Sequence, residues 1–160
     1  GEEAYIYLKL NNLVDHKLIK KLYEASKAGV KIKGVIRGIC CLVPGVKGQS
    51  ENIVIRSVVG RFLEHSRIII FANGGEEKYF ISSADWMPRN LDRRIEVTTP
   101  IYDKDIQDDL KFMIDSAFLD NTKAREIDRH QKNRAVKSDL EEDYNSQMKI
   151  YKYFRSKKVE

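Results

Sequence analysis

Two strand-like runs, Tyr5-Ile6-Tyr7-Leu8-Lys9-Leu10 and Val30-Lys31-Ile32-Lys33-Gly34-Val35-Ile36, frame the start of the chain. Both are rich in β-branched and aromatic residues and nearly continuous, as strands buried on both faces are. Between them Asp15 is placed to cap a helix that begins at His16. Leu18, Ile19, Leu22, Tyr23 and Ala25 then share one face of that helix, and Gly29 supplies a stop. Strand, helix and strand in this order make a βαβ unit, whose two strands lie parallel. Arg37 falls just past the carboxyl end of the second strand, where open α/β sheets bind their ligands.

Working outward, Pro44-Gly45-Val46-Lys47-Gly48-Gln49-Ser50 is a loop of turn residues, and 52–59 reads as a third strand. The span 67–72 is a fourth strand, very apolar through Ile68, Ile69, Ile70 and Phe71. Asn73-Gly74-Gly75-Glu76-Glu77 is a hairpin signal, and 78–82 is the returning strand. A last strand is expected over 94–98, ended by Pro100. From Tyr102 the apolar period becomes helical: Ile106, Leu110, Met113, Ile114, Ala117 and Phe118 form a stripe, with Asp103 or Asp105 near its amino end. Residues 121–137 are highly charged and read as an exposed linker or frayed helix. Ser138-Asp139-Leu140-Glu141 is a capping box, opening a helix that carries Leu140, Tyr144, Met148, Tyr151 and Phe154. The expected fold is α/β: a mixed sheet with flanking helices over 1–100, and a helical carboxy-terminal extension over 101–160 packed on the same domain.

Composition narrows the function. The 160 residues carry a formal charge of +5, with 42% hydrophobic and 33% charged residues, which excludes collagen-like or wholly disordered chains. No apolar run has the length of a membrane helix, and Gly1-Glu2-Glu3 does not begin a signal peptide. The absence of an initiator Met suggests a piece of a longer protein. Cys40 and Cys41, the only cysteines, are neighbours, which fits a reducing, cytoplasmic setting and a space-filling role. The whole positive surplus falls within the first hundred residues, which points to an anionic partner there.

Of three histidines, His16 and His130 sit among charged neighbours and read as surface residues, whereas His65 leads into the most apolar strand. Residues before one hairpin strand and after the other lie at the same end, so His65 and Arg67 should approach Ser82, Ser83 and Asp85. A His-x-Lys/Arg element facing small hydroxyl residues resembles phospholipase-D-like domains, where an imidazole acts on a phosphoryl group while cation and hydroxyls hold its oxygens. Such elements carry an Asp where this chain has Ala72, which counts against ordinary phosphodiester hydrolysis. Arg89, Arg93 and Arg94 lie just beyond the corner; strand alternation would turn only one of Arg93 and Arg94 toward the site. There is no Walker-type loop, no Gly-x-Gly-x-x-Gly and no acidic cluster that would make a metal site.

The ordered words Arg37-Gly38-Ile39-Cys40-Cys41-Leu42-Val43-Pro44-Gly45, Ser50-Glu51-Asn52-Ile53, Arg61-Phe62-Leu63-Glu64-His65-Ser66-Arg67, Ile81-Ser82-Ser83-Ala84-Asp85-Trp86-Met87 and Arg89-Asn90-Leu91-Asp92-Arg93-Arg94 resemble the carboxyl-terminal, phospholipase-D-like catalytic domain of bacterial polyphosphate kinases. The resemblance implies reversible transfer of the terminal phosphate of ATP to a polyphosphate chain. It also implies a phosphohistidine in a preceding domain, Mg2+ whose ligands lie outside this chain, a homo-oligomer, and a cytoplasmic setting, free or membrane-associated. It assigns ATP contacts to Arg37 and His65, with His65 as the catalytic candidate; the corner reading adds Arg67, Ser82, Ser83, Arg89, Arg93 and Arg94 as candidate secondary phosphate contacts. The fragment alone is expected to be inactive. The alternatives are a phospholipase-D-like phosphodiesterase or nuclease, and a non-catalytic polyanion-binding module. No interleaved aromatic and basic stripe favours stacking on nucleic acid.

Overall fold

A computed structural model describes residues 4–138 and 140–157. The opening unit forms as the sequence dictates: β1 (Tyr5–Leu10), α1 (His16–Lys27) and β2 (Lys31–Ile36), with β1 and β2 parallel from Tyr5↔Lys31 to Leu10↔Ile36. Asp15 caps α1 by accepting from the Leu18 N–H at 2.9 Å. There follow β3 (Ile53–Val58), β4 (Ile68–Phe71), a 3-10 turn at Asn73–Gly75, β5 (Lys78–Ser82), α2 (Pro88–Arg93), β6 (Thr98–Ile101), α3 (Lys104–Leu119), β7 (Ala124–Ile127), β8 (Arg134–Ala135) and α4 (Ser146–Ser156). One eight-stranded sheet takes the order β6-β5-β4-β1-β2-β3-β7-β8. Only the β1–β2 and β2–β3 pairs are parallel, so the sheet is mixed, as expected.

Alternate residues of β1 feed two cores. Ile6, Leu8 and Leu10 pack with Ile32, Ile36, Ile53 and Ile55 under Ile19 and Leu22 of α1. Tyr5 and Tyr7 face Ile68, Ile70 and Tyr79 under Ile114 of α3. A strand covered on both faces cannot alternate apolar with polar, which is why β1 reads as a continuous run. Truncating Leu22, which is only 4% exposed, removes contacts worth ~2–5 kcal/mol.

Three sequence expectations are corrected. The last hairpin partner is Thr98–Ile101 rather than 94–98, and it contains Pro100 instead of ending before it. β6 is an edge strand paired only with β5, so a proline without an N–H is tolerated there. Residues 88–93 instead form a short helix with Pro88 in its first turn. The charged stretch 121–137 is not a linker: β7 pairs antiparallel with β3 through Val58↔Ala124, and β8 pairs with β7. This peripheral hairpin buries only Ala124 and Val136, so apolar patterning cannot reveal it.

The last helix begins at Ser146, capped by Asn145, and Ser138 instead accepts from the Leu140 N–H in a local turn. Asp139 of the expected capping box lies outside the described residues. The helix start is set by Asp120, a fully buried carboxylate that follows α3. One of its oxygens accepts from the N–H groups of Thr122, Lys123 and Ala124, the other from the N–H and hydroxyl of Ser146. Burial pushes its pKa up, but these hydrogen bonds outweigh burial and hold it below the usual carboxylate range. Ile106, the first member of the α3 stripe, is exposed, and so is Cys41, whereas Cys40 packs against the α1-side core.

Candidate functional site at the sheet rim

The pairing pattern decides which residues meet. β1 and β2 end at one rim, and β4, antiparallel to β1, begins there, because Ile68 pairs with Lys9. β5 ends and β6 begins at the same rim, through Ile68↔Ile81 and Ser82↔Thr98. Arg37, His65, Arg67, Ser82, Ser83 and Asp85 therefore share one edge of the sheet, although they are spread over 49 positions of sequence.

Asp85, 3% exposed, organises this edge. One oxygen accepts from the N–H groups of Asn11 (2.8 Å) and Asn12 (3.1 Å), the other from the side-chain amide of Asn12 (3.1 Å). Arg67 closes on the same carboxylate in a fork, Nε to Oδ1 at 3.2 Å and Nη2 to Oδ2 at 3.3 Å. Burial raises the Asp85 pKa, but the Arg67 guanidinium and the Asn11 and Asn12 donors outweigh it, so the carboxylate titrates below its ordinary range. The other face of this network is His65. The Arg67 Nη1 and Nη2 atoms lie 3.5 and 3.3 Å from the two imidazole nitrogens, and Nη1 also donates to the His65 carbonyl at 3.2 Å. Arg67 is thus committed to Asp85 on one side and to the histidine on the other, while the imidazole itself is exposed.

Arg37 reaches the rim from β2. Its N–H donates to the Leu10 carbonyl at 3.2 Å, and Gly38 N–H donates to the Asn11 carbonyl at 2.7 Å. The backbones approach so closely here that a Cβ on Gly38 would lie 2.8 Å from Asn12 Oδ1. The half-buried Arg37 side chain lines a polar cleft of about 370 Å³ with Ser57, Gln131 and Asn133, the last two from the β7–β8 turn. His65 does not line that cleft. Beside the His65 loop lies Lys9, 4% exposed, whose ammonium sits 3.4 Å from Glu64. Burial pushes the Lys9 pKa down, Glu64 pulls it up, and the positive charges of Arg37 and Arg67 both push it down; the net effect is a lowered value.

The two serines are engaged with the chain. Ser82 Oγ shares a 2.8 Å hydrogen bond with Thr98 Oγ1 and accepts from the Ala84 N–H, and Ser83 Oγ bonds Glu96 and accepts from the Val97 N–H. They brace the turn that returns to β6. Arg89, Arg93 and Arg94 are exposed. Arg93 ends a helix and Arg94 follows it, so the strand-alternation argument for choosing between them does not hold. Hydrogen bonds from Ser83 and Asn90, with smaller help from the charges of Arg94 and Arg67, hold the Glu96 carboxyl below its ordinary range. Ala72 lies at the opposite rim, its N–H bonded to the Tyr5 carbonyl, so a carboxylate at that position would not face His65. Sequence reading missed Lys9, Asn11, Asn12 and Glu64; the only signal was a lysine and two asparagines interrupting an apolar strand end.

An α/β domain with a rim of hydrogen-bonded cations is the class these observations define. Residues 1–147 match the family model for the polyphosphate kinase C-terminal domain 2, and the chain belongs to that family. It is 49% identical over 156 residues to a polyphosphate kinase of Vibrio cholerae, covering 98% of this chain and 22% of that protein. It is 47% identical over 156 residues to one of Escherichia coli, covering 98% and 23%. A crystal structure of polyphosphate kinase from Porphyromonas gingivalis superposes with a TM-score of 0.92 at 44% identity, covering 97% of this chain and 24% of that one. The chain therefore spans less than a quarter of the length of these relatives. No helix among the described residues is long and apolar enough to cross a membrane. The described residues bring together no group of three or more His, Cys, Asp or Glu side chains able to hold a metal ion.

Proposed function

We propose that this chain supplies the triphosphate-binding rim of a polyphosphate kinase that moves the terminal phosphate of ATP to and from polyphosphate. What supports the reading is that strand pairing brings the backbone positions of Arg37, Lys9, Arg67 and His65 to one sheet edge in a chain of this family. Phosphoryl transfer depends on positioning and on neutralising charge on the phosphate oxygens. Arg37 has the fork to hold two oxygens at once, and its cleft leaves that fork accessible. The exposed His65 donates a hydrogen bond or proton to a phosphate oxygen. Arg67 acts one step back, holding the imidazole in place through Asp85 rather than gripping phosphate itself. Ser82 and Ser83 shape the corner, and the exposed Arg89, Arg93 and Arg94 offer the polyphosphate chain a cationic approach.

In this reading the phosphate passes through a phosphohistidine in a preceding domain, ATP arrives with Mg2+, and the intact enzyme is a cytoplasmic homo-oligomer. The test is polyphosphate synthesis by the complete enzyme carrying this domain. Arg37→Ala and His65→Ala each reduce it at least ~100-fold, the scale of a lost charge-stabilising or acid–base group. Near-normal activity in both variants refutes the assignment.

A further inference from the structure

The loop that delivers His65 is almost without backbone support. Among the described residues, no backbone-to-backbone hydrogen bond involves residues 60–66. Most of this loop is exposed and its polar groups can bond water, so a side chain that bonds its backbone marks where the loop is fixed. One side chain, 85 positions away, does so: Gln147 in the first turn of α4. Its Oε1 accepts from the Phe62 N–H at 2.8 Å and its Nε2 donates to the Phe62 carbonyl at 2.9 Å. A single amide thus makes both bonds that a neighbouring strand would make. Gln147 is 6% exposed, and a Cβ on Gly60 would lie 2.4 Å from its Oε1, so the loop is shaped to admit this side chain. The clamp is itself anchored: the preceding residue, Ser146, is held by buried Asp120, and Tyr153 of the same helix donates to Asp109 of α3 at 2.7 Å. Phe62 also meets Tyr151 ring to ring, with centroids 6.0 Å apart.

We propose that Gln147 is a positioning residue for the reaction, holding the His65 loop in register with Arg37 by clamping the Phe62 peptide. It touches no phosphate; it acts through His65, and the inference therefore rests on His65 being a phosphate ligand. A displacement of about 1 Å at a reacting group costs up to ~100-fold in rate, so a clamp three residues away carries leverage.

The experiment is a double-mutant cycle in the complete enzyme, reading kcat/KM for ATP. Gln147→Ala lowers it ~10- to 100-fold. In a His65→Ala background the same change costs less than ~3-fold, because the group it positions is gone. Hydrogen exchange at the amides of residues 60–65 speeds up in Gln147→Ala while β1 and β2 stay protected. Gln147→Glu keeps the acceptor but donates only when protonated; its activity relative to wild type at the same pH rises as pH is lowered from 8 to 6, since burial raises a carboxyl pKa. That recovery guards against a variant that merely misfolds. Wild-type kcat/KM in Gln147→Ala, or an equal loss in both backgrounds, overturns the proposal. A silent His65→Ala overturns instead the reading of His65 as a phosphate ligand.

Discussion

Replacing Asp85 with Ala removes the keystone of the rim. The carboxylate accepts from two backbone N–H groups, two asparagine amides and the Arg67 fork while almost fully buried. Each hydrogen bond to a charged group contributes ~1.5–3 kcal/mol, but bonds sharing one acceptor are not additive. Breaking a buried pair from one side costs ~3–5 kcal/mol, because the Arg67 charge, 12% exposed, is left without its partner. We expect a loss of about 4 kcal/mol for Asp85→Ala. Asp85→Asn keeps one acceptor and the shape, and is expected to lose about half of that.

Guanidinium denaturation of the chain at pH 7 reads both values from the midpoint shift at constant slope. The pH dependence carries the sign. Asp85 has a folded pKa below its unfolded value. Its stabilisation is therefore fully present above the unfolded pKa of ~4 and is lost as pH falls through the folded one. The wild-type chain thus loses stability below pH ~4 more steeply than Asp85→Asn. A cost under ~1 kcal/mol for both variants, or parallel acid profiles, would refute the reasoning.

Two further predictions concern other parts of the fold. Asp120→Ala leaves three loop N–H groups and both Ser146 donors without their acceptor, and is expected to cost ~3 kcal/mol by denaturant midpoint and to raise hydrogen exchange at the start of α4; unchanged protection there contradicts the role given to Asp120. Burial pushes the Cys40 thiol up to about 11, while Cys41 is exposed, so iodoacetamide at pH 8 followed by peptide mapping should find label on Cys41 and little on Cys40.

What could be read from sequence follows the range of the interactions. β1, α1, β2 and the β4–β5 hairpin are visible because each is specified by its own neighbours: Asp15 at a cap, Ile19 and Leu22 at helical spacing, Gly74-Gly75 at a turn. The meeting of His65, Arg67 and Asp85 was legible for the same reason, since hairpin geometry places both ends together. The β7–β8 hairpin was not, because it joins the sheet by backbone bonds at the β3 edge and buries little apolar surface. Lys9 looked like noise in an apolar strand, yet it is buried with its ammonium 3.4 Å from Glu64, the neighbour of His65. Gln147 left no local trace at all: a polar residue near a helix start gives no sign of which distant peptide it holds. The start of α4 was misread because an acceptable capping box at Ser138 competes with a cap site fixed by a buried carboxylate 26 positions earlier.

The central claim is that one edge of this sheet grips a triphosphate from two sides. The most direct measurement is a structure of the complete enzyme with a non-hydrolysable ATP analogue. The account predicts phosphate oxygens within ~2.7–3.2 Å of both the Arg37 guanidinium and the His65 imidazole. A triphosphate seated away from this rim, or touching neither group, would contradict it.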